Sequence, residues 1–66
     1  MSTIYVIIKG GKEITGESVI CATEAAFRNK DLAMQYLRGQ QIVWEEVING
    51  SEFQCERAIH EVNLHE

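Results

Sequence analysis

Gln41-Ile42-Val43-Trp44-Glu45-Glu46-Val47-Ile48-Asn49-Gly50-Ser51-Glu52-Phe53-Gln54-Cys55-Glu56-Arg57 is the stretch on which the fold turns. Ile42, Trp44 and Ile48 recur with period two, the repeat of a strand whose side chains alternate between faces. Asn49-Gly50 follows at once, and both central positions of a type I′ turn need positive φ, which Asn and Gly tolerate best. A two-residue loop fixes the pairing: Glu46 opposite Phe53, Trp44 opposite Cys55, Ile42 opposite Arg57. Trp44, Ile48, Phe53 and Cys55 then share one face, and Glu45, Val47, Glu52, Gln54 and Glu56 share the other. The hairpin has a greasy side and an acidic side.

Upstream, Lys30-Asp31-Leu32-Ala33-Met34-Gln35-Tyr36-Leu37-Arg38 changes period. Leu32, Ala33, Tyr36 and Leu37 fall on one helical face. Asn29 can cap the first free amides, and Asp31 and Arg38 both suit the helix dipole. Gly39 stands where a left-handed C′ residue belongs. A start at Thr23 is the alternative, since Glu24-Ala25-Ala26 favours helix. It would place Asn29 on the buried stripe, so the shorter helix is preferred, with Phe27 ending a preceding strand. That strand is expected around Glu17–Thr23, with Gly16 marking its start or a bulge.

Thr3–Lys9 is β-branched and too short for a helix, so it reads as a strand. Both its faces are apolar, Ile4, Val6 and Ile8 against Tyr5 and Ile7, as in a central strand. Gly10-Gly11 supplies the freedom for a turn. Downstream, Ile59–Leu64 keeps alternating, but Val62 and Leu64 break parity with Phe53 and Cys55. A bulge near Arg57-Ala58 would reconcile them. The expectation is an α+β ββαββ domain: a four-stranded, mostly antiparallel sheet with one helix packed on one face.

A chain of 66 residues is one domain, because no second core could be built from what is left. A core of this size supplies about 3–5 kcal/mol, which calls for a disulfide, a metal or a partner subunit. Met1-Ser2-Thr3 runs into the strand with no basic leader, and its apolar run is far short of a membrane span, so a cytoplasmic address and no membrane partner are expected. Cys21 and Cys55 are then reduced, buried hydrophobes. Self-association becomes the favoured staple. One helix covers only one face of the sheet, so a homodimer is expected, through strand edges or the apolar surface around Trp44 and Phe53.

The net charge of −4 is unevenly spread. Residues 1–39 are near balance, whereas residues 40–66 hold Glu45, Glu46, Glu52, Glu56, Glu61 and Glu66 against Arg57 alone. Such a half repels phosphate, so nucleic acid is disfavoured there, and it attracts basic protein surfaces. The other reading is a nucleic-acid-binding regulator using Lys9, Lys12, Arg28, Lys30 and Arg38 of the first half.

No motif names a reaction. Cys55, His60 and His65 are spaced by five, which suits neither ligand pair of a structural zinc site, so no metal or cofactor is expected. Cys55 or Cys21 with His60 lacks the basic or helix-terminal setting of a nucleophile. Glu45 and Glu46 face opposite sides and cannot act as an acid–base pair. Glu46 falls on the apolar face, within diagonal reach of Arg57. Gly10-Gly11-Lys12 lacks the rest of a phosphate loop. The remaining surface is the acidic hairpin face: Glu45, Glu52 and Glu56 on a ground of Val43 and Val47, with Trp44 as anchor of either the core or an interface.

Tyr5-Val6-Ile7-Ile8, then Phe27-x-x-Lys30-x-x-Ala33-x-x-Tyr36-Leu37, Trp44-Glu45-Glu46-Val47 and a closing Ile59-His60-Glu61-Val62 resemble the small ββαββ domains common among phage and prophage proteins. The resemblance spans most of the chain and carries no catalytic motif. It implies a phage-encoded inhibitor of a host protein, of an anti-defence type such as anti-CRISPR or anti-restriction. With the composition, the expectation is a non-enzymatic protein-binding module whose partner is a host protein with a basic surface.

Overall fold

The computed structural model describes residues 2–65. Five elements follow one another: β1 (Ser2–Glu13), β2 (Val19–Phe27), α1 (Lys30–Arg38), β3 (Val43–Ile48) and β4 (Ser51–Leu64). The strands form one antiparallel sheet in the order β2-β1-β4-β3. The fold is therefore the expected ββαββ α+β domain. No helix is long and apolar enough to cross a membrane among the described residues.

The β3–β4 hairpin has the expected register, with Glu46 opposite Phe53 and Trp44 opposite Cys55. Asn49 and Gly50 take positive φ, 50° and 82°. The Arg57 N–H donates to the Ile42 carbonyl at 2.8 Å, one step beyond the last strand pair. The helix starts as its cap predicts: the Asn29 side-chain oxygen accepts from Asp31 N at 2.7 Å and Leu32 N at 3.3 Å. Its end differs from expectation, because Gly39 is right-handed at φ −81° and its N–H simply closes the last turn.

The long central strands account for most other departures. β1 does not turn at Gly10-Gly11; it continues to Glu13, and the reversal falls at residues 14–18 around Gly16, φ +83°. Gly11 serves packing instead. A Cβ there would lie 2.8 Å from Cys55 Sγ and 3.0 Å from Ile20 Cγ1, so the missing side chain lets β2 and β4 close over β1. The second strand lies at Val19–Phe27: it ends at Phe27 as expected, and it starts later than Glu17 because the reversal after the longer β1 occupies residues 14–18.

No bulge occurs near Arg57-Ala58: β4 pairs with β1 without a break from Phe53 opposite Glu13 to Leu64 opposite Ser2. The irregularity sits in β2, where Ile7 pairs with Ala25 but Ile8 with Thr23, leaving Glu24 as the extra residue. Because β4 runs straight, Val62 and Leu64 stay on the face opposite Phe53 and Cys55, each 38% exposed.

The sheet has one covered face. Phe27, which lies opposite Tyr5, meets Tyr36 at 5.5 Å between ring centroids, which places α1 over Tyr5, Ile7, Phe27 and Ile59. Ile7 and Ala33 are fully buried there, and Phe53 and Cys55 are buried further along the same face. Among the described residues Val6 is the one core residue on the open face, with Ala26 and His60 on either side. Cys21 is exposed rather than buried, since it lies on edge strand β2 opposite Gly10, which offers no side chain to cover it.

Candidate functional site: the open face of the hairpin

Antiparallel pairing sets the open face of β3 and β4 as rows: Val47 beside Glu52, Glu45 beside Gln54, Val43 beside Glu56. Apolar and acidic side chains alternate along β3, and on β4 two glutamates flank Gln54. Val43 is 67% and Val47 68% exposed, and Glu45, Glu52 and Glu56 are exposed between them. Among the described residues none of these three carboxylates forms an ion pair; the salt bridges are Lys9–Glu46 and Arg57–Glu24. Beyond β4 the face dips over Gly10 into a shallow concavity bordered by Lys12, Val19, Cys21, Val43 and Glu56.

Five of the six residues read from the sequence as a binding surface therefore meet on one face. Trp44 does not. It projects to the helix side, half-buried, with the Arg57 guanidinium 4.3 Å from its ring centroid and Lys9 Nζ at 5.5 Å. Alternation along β3 separates it from Val43 and Glu45.

Arg57 organises the region around Trp44. Nε and Nη2 donate to the two Glu24 carboxylate oxygens at 2.8 and 2.9 Å, and Nη1 donates to the Gln41 carbonyl at 2.6 Å. Planar, bidentate pairing of this kind is a property of Arg that Lys does not share. The hydrogen bonds from Arg57 hold the Glu24 carboxyl below its usual pKa. Desolvation, followed by hydrogen bonding to Glu24, lifts that of Tyr36. Glu46, expected within diagonal reach of Arg57, is close enough to act on its charge but forms its ion pair with Lys9 at 3.9 Å, and the bulge in β2 presents Glu24 to Arg57 instead. The sole basic residue of the acidic half was the available signal for this network. Its partner, 33 residues away on a bulge, carried none.

Cys55 and His60 leave β4 on opposite faces, so they cannot form a nucleophile–base pair. Cys21 shares the open face with His60, but their β1 partners, Gly10 and Val6, are four residues apart, roughly 13 Å along a strand. Among the described residues no group of three or more His, Cys, Asp or Glu side chains is placed to hold a metal ion. Of the basic residues of the first half, Lys9 is on the helix side beside Trp44, Lys12 on the open face and Arg28 between β2 and α1, while Lys30 and Arg38, near the two ends of α1, border one concavity together with Asp31. No family model, curated protein or solved structure matches this chain.

Proposed function

We propose that this chain is a non-enzymatic protein-binding module that docks the open hairpin face onto a basic surface of a partner protein. The observation that carries the reading is three carboxylates, Glu45, Glu52 and Glu56, which form no ion pair among the described residues, set around two valines that are each about two-thirds exposed. Unpaired like charges steer a complementary basic surface into place, and the valines add the desolvation that makes a contact persist. The face is carried by two paired strands and not by a loop, so little ordering cost opposes docking. The resemblance to phage and prophage domains extends the reading to a phage-encoded inhibitor of a host defence protein, and that extension rests on the resemblance alone.

The test is affinity capture from bacterial lysate at low salt, with the wild-type chain and a Glu45→Lys/Glu52→Lys variant compared by mass spectrometry. The variant should fold normally, by circular dichroism, and lose the partner that the wild type captures and releases with rising salt. Retention of the same partner by the folded variant removes the hairpin face as the site.

A further inference from the structure

β4 is longer than the strand that borders it. β3 flanks it only from Ser51 to Glu56, and the last outward contact is the Arg57 N–H on the Ile42 carbonyl. Donor directions alternate along a strand, so the N–H and C=O groups of Ile59, Glu61 and Asn63 point the same way as those of Arg57. Among the described residues nothing pairs with them there, while the even-numbered neighbours complete the ladder to β1 as far as Leu64. This stretch of a central strand is an unfilled sheet edge, flanked on the open face by the exposed Val62 and Leu64. The other two edges are blunted, β2 by its bulge at Glu24 and β3 by an acidic residue, Glu45, at its middle.

We propose that this edge is a self-association site, at which two copies pair their β4 strands antiparallel about a two-fold axis through Val62. Outward groups belong to odd-numbered residues, so odd must meet odd across the axis. An axis at His60 would set Asn63 of one copy against Arg57 of the other, a position Ile42 already fills. An axis at Glu61 would oppose two carboxylates directly. An axis at Val62 puts Val62 against its own copy in the close, non-hydrogen-bonded position. It also sets His60 against Leu64, Glu61 against Asn63 and Ile59 against His65. No like charges meet, and the exposed Val62 and Leu64 gain apolar or aromatic neighbours.

A second copy is the occupant this edge fits, because the same short segment supplies both halves of a closed, symmetric contact. The other candidate surface for a dimer is unavailable: Phe53 is buried and Trp44 lies beneath Arg57. The pairing joins two sheets into one of eight strands and leaves both acidic hairpin faces free, so it stands or falls independently of the proposed docking function. A strand pair this short is at the small end of specific interfaces, and the dimer is expected to dissociate on dilution.

The test is light scattering over a concentration series, with two variants. The wild type should approach twice the 7.5 kDa chain mass at high concentration. Glu61→Pro removes one outward N–H without touching the β1 ladder, and should weaken association at least roughly tenfold, the equivalent of about 1.4 kcal/mol. Val62→Cys in a Cys21→Ser background should form a disulfide-linked dimer under mild oxidation, whereas Asn63→Cys in that background should not. The proposal is overturned by a 7.5 kDa species at every concentration up to about 1 mM. A dimer unaffected by Glu61→Pro, or one that Val62→Cys does not cross-link, also overturns it.

Discussion

Replacing Gly11 by alanine tests the packing reason for a glycine inside a central strand. The new Cβ would lie 2.8 Å from Cys55 Sγ, 3.0 Å from Ile20 Cγ1 and 3.2 Å from Ile20 Cδ1. Cys55 is 2% exposed, with Gly11 of β1 and Trp44 of β3 as its cross-strand neighbours, so the sulfur can give way only against packed atoms. Overpacking of this kind costs about 1–3 kcal/mol. Losing glycine's backbone entropy in the unfolded chain returns roughly 0.5–1 kcal/mol. The net loss lies between about 0 and 2.5 kcal/mol, with a central value of roughly 1 kcal/mol, or about 4–8 °C in Tm for a domain of this length. Cys55→Ala alone removes a buried atom and costs about 1 kcal/mol. In the double variant the alanine Cβ occupies space the sulfur has left, so the combined loss should fall short of the sum by about 1 kcal/mol or more. Urea unfolding followed by Trp44 fluorescence supplies all four corners of the cycle. Additive losses, or a Gly11→Ala chain more stable than the wild type, would refute close packing as the reason for this glycine.

Two further outcomes follow from the turn and from the Arg57 network. Gly50→Ala meets no atom within 4 Å, so its cost is confined to holding alanine at φ +82°, about 1–2 kcal/mol; a neutral result by the same urea assay would mean the turn relaxes to another type. Glu24 has a folded-state pKa below its ordinary 4.5, so its ion pair stabilises the fold above that value and the contribution is lost as pH falls through the folded pKa. Glu24→Gln should therefore be less stable than the wild type at neutral pH, with the difference narrowing below about pH 4.5; a difference that stays constant down to pH 2 would show that the carboxylate charge contributes nothing.

What the chain alone determined is local. Asn49-Gly50 set the hairpin and its register because positive φ at two adjacent positions is a property of those residues, and alternation then sorted Glu45, Glu52 and Glu56 from Trp44 and Phe53. Asn29 set the helix start because its side chain reaches amides two and three residues on. Tertiary structure decided whatever depends on a strand's neighbour. Gly10-Gly11 reads as a turn in isolation, yet the pairing of β1 with two long strands carries it through, and the approach of Cys55 explains the glycine at 11. The parity break after Cys55 demanded a bulge only if Val62 and Leu64 belonged to the core; instead β4 runs straight and leaves them on the open face. The bulge at Glu24, the grip of Arg57 on that carboxylate, and the bare edge from Ile59 to Asn63 join residues far apart in the chain. Periodicity within one segment holds no information about which strand stops short beside another.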